Sequence, residues 1–158
     1  RAVVASLLSF ILDTKGMPRR HFLEDDFKVM SQMERLKFIL EGGVSPKNKI
    51  PIKSFKTVYK SMLAWKNEKE CLFLRFEDLV GEQGGGKSSV QKDQVNRISN
   101  YLKISLSEDR NCLINGIFDT NSRTFRKGKI DGWKQSMDKS CLDYLEAYCE
   151  PLCREAGY

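Results

Sequence analysis

A chain of 158 residues, 41% hydrophobic and 30% charged, has the make-up of a globular protein and the length for one domain with its own core. It holds no repeat and no low-complexity tract. A formal net charge of +6 favours an anionic ligand, whether nucleotide, nucleic acid or sulfated product, and does not choose among them.

Residues 2–12 (AVVASLLSFIL) are apolar at helical spacing but only about half as long as a bilayer crossing requires. Two serines interrupt the run and no basic segment precedes it, so it reads as a buried helix rather than a span or a signal peptide. A thin polar stripe, Ala2, Ser6, Ser9 and Asp13, follows one face. Serines so placed either bond back to their own helix or meet a partner, which a bound ligand could supply. The first residue is Arg1 rather than Met, and the chain opens inside this run, as a piece of a longer protein would.

Residues 14–24 read as a basic loop punctuated by Gly16 and Pro18. His21, the only histidine, stands beside Arg20 in that loop and is not assigned to catalysis. One helix is expected from Asp25 or Asp26 to Glu41, with Val29, Met33, Leu36 and Leu40 as its apolar face and Gly42-Gly43 closing it. Pro46 and Pro51 bracket an extended polar linker. A second amphipathic helix follows, ending near Trp65, with Phe55, Val58, Tyr59, Met62 and Leu63 as core.

Residues 71–76 (CLFLRF) are a short apolar run of the kind that lies buried in a parallel sheet. Just beyond it, Gly81–Ser88 fits G-x-x-x-x-G-K-[ST], the spacing of a P-loop. Read that way, backbone N–H groups would surround a β-phosphate, Lys87 would reach the γ-phosphate and Ser88 would hold Mg²⁺. Against it, Glu77, Asp78 and Glu82 place carboxylates beside any phosphate, and no apolar run ending in Asp follows. Ser88-Ser89-Val90-Gln91 also reads as a capping box for the next helix. That helix, Val90 to Leu102, is expected to bury Val95, Ile98, Tyr101 and Leu102. A shorter one capped by Ser107 should stop near Gly116, and a last one should start near Asp138 with Cys141, Leu145, Tyr148, Cys149 and Leu152 inward and a frayed end. The five cysteines (Cys71, Cys112, Cys141, Cys149 and Cys153) have no metal-ligand spacing and read as free thiols in a reducing compartment.

Residues 123–134 (RTFRKGKIDGWK) gather Arg123, Arg126, Lys127, Lys129 and Lys134 around one carboxylate, Asp131. A guanidinium fork, ammonium charges and a glycine N–H make a phosphate grip. A solvated basic loop is the other reading of the same residues.

"FRKGKI…WK" resembles the C-terminal signature of sulfotransferases that use 3'-phosphoadenosine-5'-phosphosulfate, where this loop holds the nucleotide's 3'-phosphate. "RAVVASLLSF" is similar to the segment of that family whose serine touches the same phosphate, at Ser6. "LFLRFEDLV" resembles its strand end, with an aromatic near the adenine at Phe76, and "FEDLVG…GGG" looks like its glycine-rich connector. The three pieces occur in the family's order. Phe118 corresponds to an aromatic that stacks on adenine. Asp131-Gly132 departs from the pattern, since the family usually has glycine first.

The resemblance implies an α/β fold, the C-terminal part of a P-loop-like sulfotransferase, mostly helical with one or two parallel strands in this part. Residues 1–158 would form a single domain lacking the 5'-phosphosulfate loop and the general-base histidine. Ser6, Phe76, Arg126, Lys127 and Gly128 would bind the cofactor, with no catalytic residue and no metal ligand in this chain. The implied reaction moves a sulfuryl group to a hydroxyl or amine of a small-molecule or carbohydrate acceptor, leaving 3',5'-adenosine bisphosphate. The implied setting is cytoplasmic, without nucleic acid. The alternatives are an NTP-binding protein using Gly81–Ser88 and a basic helical binding module.

Overall fold

The opening apolar run does form a helix, α1 (Ala2–Leu12), but only one side of it is covered. Val4, Ala5, Leu8 and Ile11 are buried, while Val3, Ser6 and Ser9 face outward, so the expectation of a helix buried all round is corrected. The computed structural model describes residues 1–13, 20–106, 110–121, 125 and 127–158. Ser107, Arg123 and Arg126, to which the sequence assigns roles, lie outside the described residues, as does most of the basic loop at 14–24. The chain forms two units, residues 1–64 with 133–158, and residues 65–132.

In the first unit, the helix expected up to Glu41 is two helices, α2 (Glu24–Val29) and α3 (Gln32–Glu41). Met30 turns extended between them. Ser31 then caps α3, its hydroxyl accepting from the Glu34 N–H at 3.3 Å while the Glu34 carboxylate accepts from the Ser31 N–H at 2.7 Å. This reciprocal pair makes two local bonds at the break that a continuous helix would not have. The break turns Val29 out to 64% exposure, while Leu36 and Leu40 are fully buried. Gly42, at φ +78°, ends α3 as the sequence suggests.

Residues 43–52 form a small antiparallel hairpin of β1 (Gly43–Val44) and β2 (Pro51–Ile52), pairing Gly43 with Ile52 and Val44 with Pro51. Its loop is held from below by Asp26, which is fully buried. The Asp26 carboxylate accepts from the Lys47 N–H (2.7 Å), the Asn48 N–H (3.0 Å) and the Asn48 side-chain amide (2.8 Å). Burial pushes its pKa up. The bonds from the Asn48 and Lys47 backbone and from the Ser45 and Asn48 side chains outweigh that and hold it below the ordinary aspartate range.

A group with a depressed folded-state pKa stabilises above its unfolded value and loses that contribution as pH falls through the folded one. Thermal melts of wild type and Asp26→Asn should therefore differ most near neutrality. The gap should narrow as pH falls below about 4, where an unperturbed aspartate protonates, and close once the folded-state carboxyl protonates too. A gap independent of pH would show that Asp26 does not carry this charge-dependent stability.

α4 (Phe55–Ala64) packs on α3 and on the last helix, α8 (Lys139–Ala156). Only Leu63 of its expected core face is buried; Val58 is exposed and Met62 is 61% exposed, which corrects the reading of that stripe as core. α8 follows the sequence more closely. Asp138 caps it by accepting from the Cys141 N–H at 2.8 Å, and Cys141, Leu145, Cys149 and Leu152 face inward. It runs unfrayed to Ala156 and closes at Gly157 in the left-handed region. The core joins α1, α2, α3 and α8 around Phe27, Leu36, Leu145 and Trp133. Burial raises the Cys141 and Cys149 thiols, and all five cysteines are free.

In the second unit, the expected strand is absent. Residues 71–75 belong to no strand, and Phe76 begins a short helix, α5 (Phe76–Leu79). Helices make up 62% of the described residues, and the hairpin of the first unit is their only sheet. The α/β, P-loop-like reading with parallel strands is therefore corrected. A parallel strand exists only with a hydrogen-bonded neighbour, and no described segment supplies one. Side chains tie down the 70–75 stretch instead: the Tyr101 hydroxyl donates to the Glu70 carbonyl, and Lys66 Nζ lies 5.6 Å from the Phe73 ring. α6 (Ser88–Leu102) and α7 (Arg110–Gly116) complete the unit. α6 buries Val95 but leaves Tyr101 and Leu102 exposed, against expectation. Gln91 is not a capping-box member either; it is buried and its amide donates to the Leu79 carbonyl at 2.8 Å.

Candidate anion-binding site

Two glycine-bearing loops, read from sequence as rival phosphate sites, meet in the second unit. The Ile130 N–H donates to the Gly84 carbonyl at 2.8 Å, joining residues 127–132 to the Gly81–Gly86 turn. The approach is close enough that a Cβ on Gly84 would lie 2.8 Å from the Gly128 carbonyl oxygen and 2.4 Å from Val80 Cβ. Only glycine fits there.

The Gly81–Ser88 turn spends its donors on itself. The Gly84 N–H donates to the Gly81 carbonyl (3.2 Å), Gly85 to Glu82 (3.0 Å) and Gly86 to Gly81 (2.7 Å). The Ser88 hydroxyl donates to a Glu82 carboxylate oxygen at 2.7 Å. A phosphate cradle needs those N–H groups free and that hydroxyl available to a metal ion. In this conformation the turn is a structural brace.

The 127–129 stretch is built the other way. Gly128 lies at φ +56°, and the backbone N–H groups of Lys127, Gly128 and Lys129 have no hydrogen-bond partner among the described residues. Lys127 and Lys129 are exposed, and no carboxylate among the described residues pairs with either. Consecutive N–H groups around a left-handed residue can form a donor set suited to anions, and the two ammonium groups beside it add positive charge, with the Asp131 carboxylate close by in sequence. Phe118 and Phe125 pack edge-on, centroids 5.3 Å apart, directly against Gly128; a Cβ there would lie 2.6 Å from Phe125 and 2.9 Å from Phe118. Asp131, at φ +59°, occupies the left-handed region that aspartate tolerates better than most residues.

Of the residues assigned to the cofactor from sequence, Lys127 and Gly128 lie in this loop. Phe76, 47% exposed, opens α5 in the same unit, and the next residue's carbonyl would be 3.0 Å from a Cβ on Gly86. Ser6 belongs to the first unit, on the outward side of α1. Arg126 lies outside the described residues. His21 does local work: its Nδ1 accepts from the Leu23 N–H at 3.2 Å and its ring stacks on Phe22. Burial lowers its pKa, partly offset by Glu24. Sequence reasoning missed the Gly84–Ile130 join and the role of Gln91, because both are set by residues far apart along the chain.

No group of His, Cys, Asp and Glu suited to a metal occurs among the described residues, and none of their helices is long and apolar enough to cross a membrane. Comparison with protein-family models, with curated proteins and with solved structures finds no match.

Proposed function

We propose that the Lys127–Lys129 loop binds a phosphate monoester, and that the ligand is the 3'-phosphate of 3'-phosphoadenosine-5'-phosphosulfate in a sulfotransferase. The observation that carries the reading is the set of three N–H groups around left-handed Gly128 that, like the two flanking lysines' ammonium groups, have no partner among the described residues. The resemblance of the surrounding sequence supplies the identity of the nucleotide. The cofactor is the sulfuryl donor to a hydroxyl or amine acceptor, a small molecule or carbohydrate. In this reading Lys127 and Lys129 neutralise the phosphate, Gly128 donates its N–H, Arg126 adds a guanidinium, and the exposed Phe76 ring would meet the base. None of these groups moves a proton in the reaction; they bind and orient. A cytoplasmic setting belongs to the same proposal.

Calorimetric titration tests it, with 3',5'-adenosine bisphosphate as ligand and 5'-AMP, which lacks the 3'-phosphate, as control. Hydrogen bonds to charged groups contribute about 1.5–3 kcal/mol each. Lys127→Ala with Lys129→Ala should therefore weaken the bisphosphate by more than about tenfold and leave 5'-AMP unchanged. Equal binding of both nucleotides by wild type, or no loss in the double variant, rejects the assignment. Mg²⁺-dependent ATP binding that is lost in Lys87→Ala would support the P-loop alternative, which the self-bonded Gly81–Ser88 turn disfavours.

A further inference from the structure

The first unit holds a separate small cavity, about 90 Å³, beside α1, the start of α3 and residues 136–137. Its lining carries two chemistries. Ala5, Leu8, Leu12 and Met137 bring aliphatic surface, and Ser9, Gln32, Arg35 and Ser136 bring polar groups. No acidic residue lines it.

The polar side consists of donors. Arg35 Nε donates to the Phe27 carbonyl at 2.6 Å, which fixes the guanidinium, and no carboxylate pairs with Arg35. The Gln32 carboxamide oxygen accepts from the Asp138 N–H at 3.0 Å, so its amide nitrogen is left as the donor. The Asp138 carboxylate is not part of the lining; its Oδ1 caps α8 by accepting from the Cys141 N–H and the Ser140 hydroxyl. Ser9 brings an exposed hydroxyl with no partner among the described residues.

We infer that this cavity is a binding site for a short aliphatic monocarboxylate, its carboxylate on Arg35 with Gln32 and Ser9, and its alkyl tail against Leu8, Leu12 and Met137. A water needs about 15 Å³ of such space, so the cavity takes a ligand of roughly six heavy atoms. Butyrate has that size. A fixed guanidinium offers a carboxylate two parallel N–H groups. Phosphate or sulfate, polar on every side, would leave oxygens against the aliphatic wall without hydrogen bonds, a costly arrangement.

Butyrate titrated into the ¹⁵N-labelled protein should give saturable amide shifts confined to Leu8, Ser9, Leu12, Gln32 and Arg35. Butyramide, of the same shape without charge, and inorganic phosphate should each bind at least about tenfold more weakly. Arg35→Met should abolish the butyrate response. Because Arg35 also supports the Phe27 carbonyl, Ser9→Leu provides the second arm: it fills the cavity from the exposed face of α1 and should block binding with the fold intact. No localised shift in wild type, equal response to butyramide, or undiminished binding in Ser9→Leu overturns the assignment.

Discussion

Gly84→Ala is expected to destabilise the second unit by about 1–3 kcal/mol, the usual cost of forcing an extra methyl into a filled space, and to abolish binding of 3',5'-adenosine bisphosphate. The new Cβ would meet Val80 Cβ at 2.4 Å, Val80 Cγ2 at 2.6 Å and the Gly128 carbonyl oxygen at 2.8 Å. Val80 is buried and cannot swing away, so the 127–130 segment must lift. Lifting it breaks the bond from Ile130 N–H to Gly84 O and would disturb the N–H groups proposed to bind the anion. Gly116→Ala is the control, because a Cβ there meets nothing within 4 Å. It should leave both stability and affinity near wild type. Bisphosphate titrations together with amide exchange along α6 measure the two effects. Unimpaired nucleotide binding by Gly84→Ala would dissociate the turn from the site.

Phe27→Ala should destabilise the first unit by about 3–5 kcal/mol, the range for removing a buried aromatic ring. Domains typically have only about 5–15 kcal/mol in total. Phe27 is fully buried, meets Phe38 edge-on at 6.4 Å, and sits where α2 meets the core of α1, α3 and α8. Two residues on, Val29→Ala should cost under about 0.5 kcal/mol as an ordinary surface change. Denaturation followed by tryptophan fluorescence reports this unit through buried Trp133, against a background from Trp65, which is 64% exposed. Comparable losses in the two variants would contradict the arrangement of α2.

The same pair shows what the sequence could reveal. Helical periodicity found α1, α3, α6 and α8 because it is local, and the caps at Gly42 and Asp138 lie where turn chemistry puts them. The break at Met30-Ser31 was also written locally, in Ser31-x-x-Glu34, but the apolar spacing from Val29 to Leu40 hid it. Which face is covered was less legible. Val58 and Met62 have the spacing of a core stripe, yet neighbours cover α4 only on the side of Leu63. Residues 71–76 have the composition of a strand, but sheet membership depends on a partner elsewhere in the chain. At the candidate site, composition marked both loops. That one of them is saturated by its own carbonyls and the other is not emerges only from the hydrogen bonds.

The brace under the basic loop also bears on how an anion would be held. A loop anchored before its ligand arrives surrenders little conformational freedom on capture, so more of each charge-assisted contact survives as affinity. Cations on a slack segment would first have to be ordered. The neutral tether from Ile130 to Gly84 can thus govern how tightly a guest is gripped without touching it.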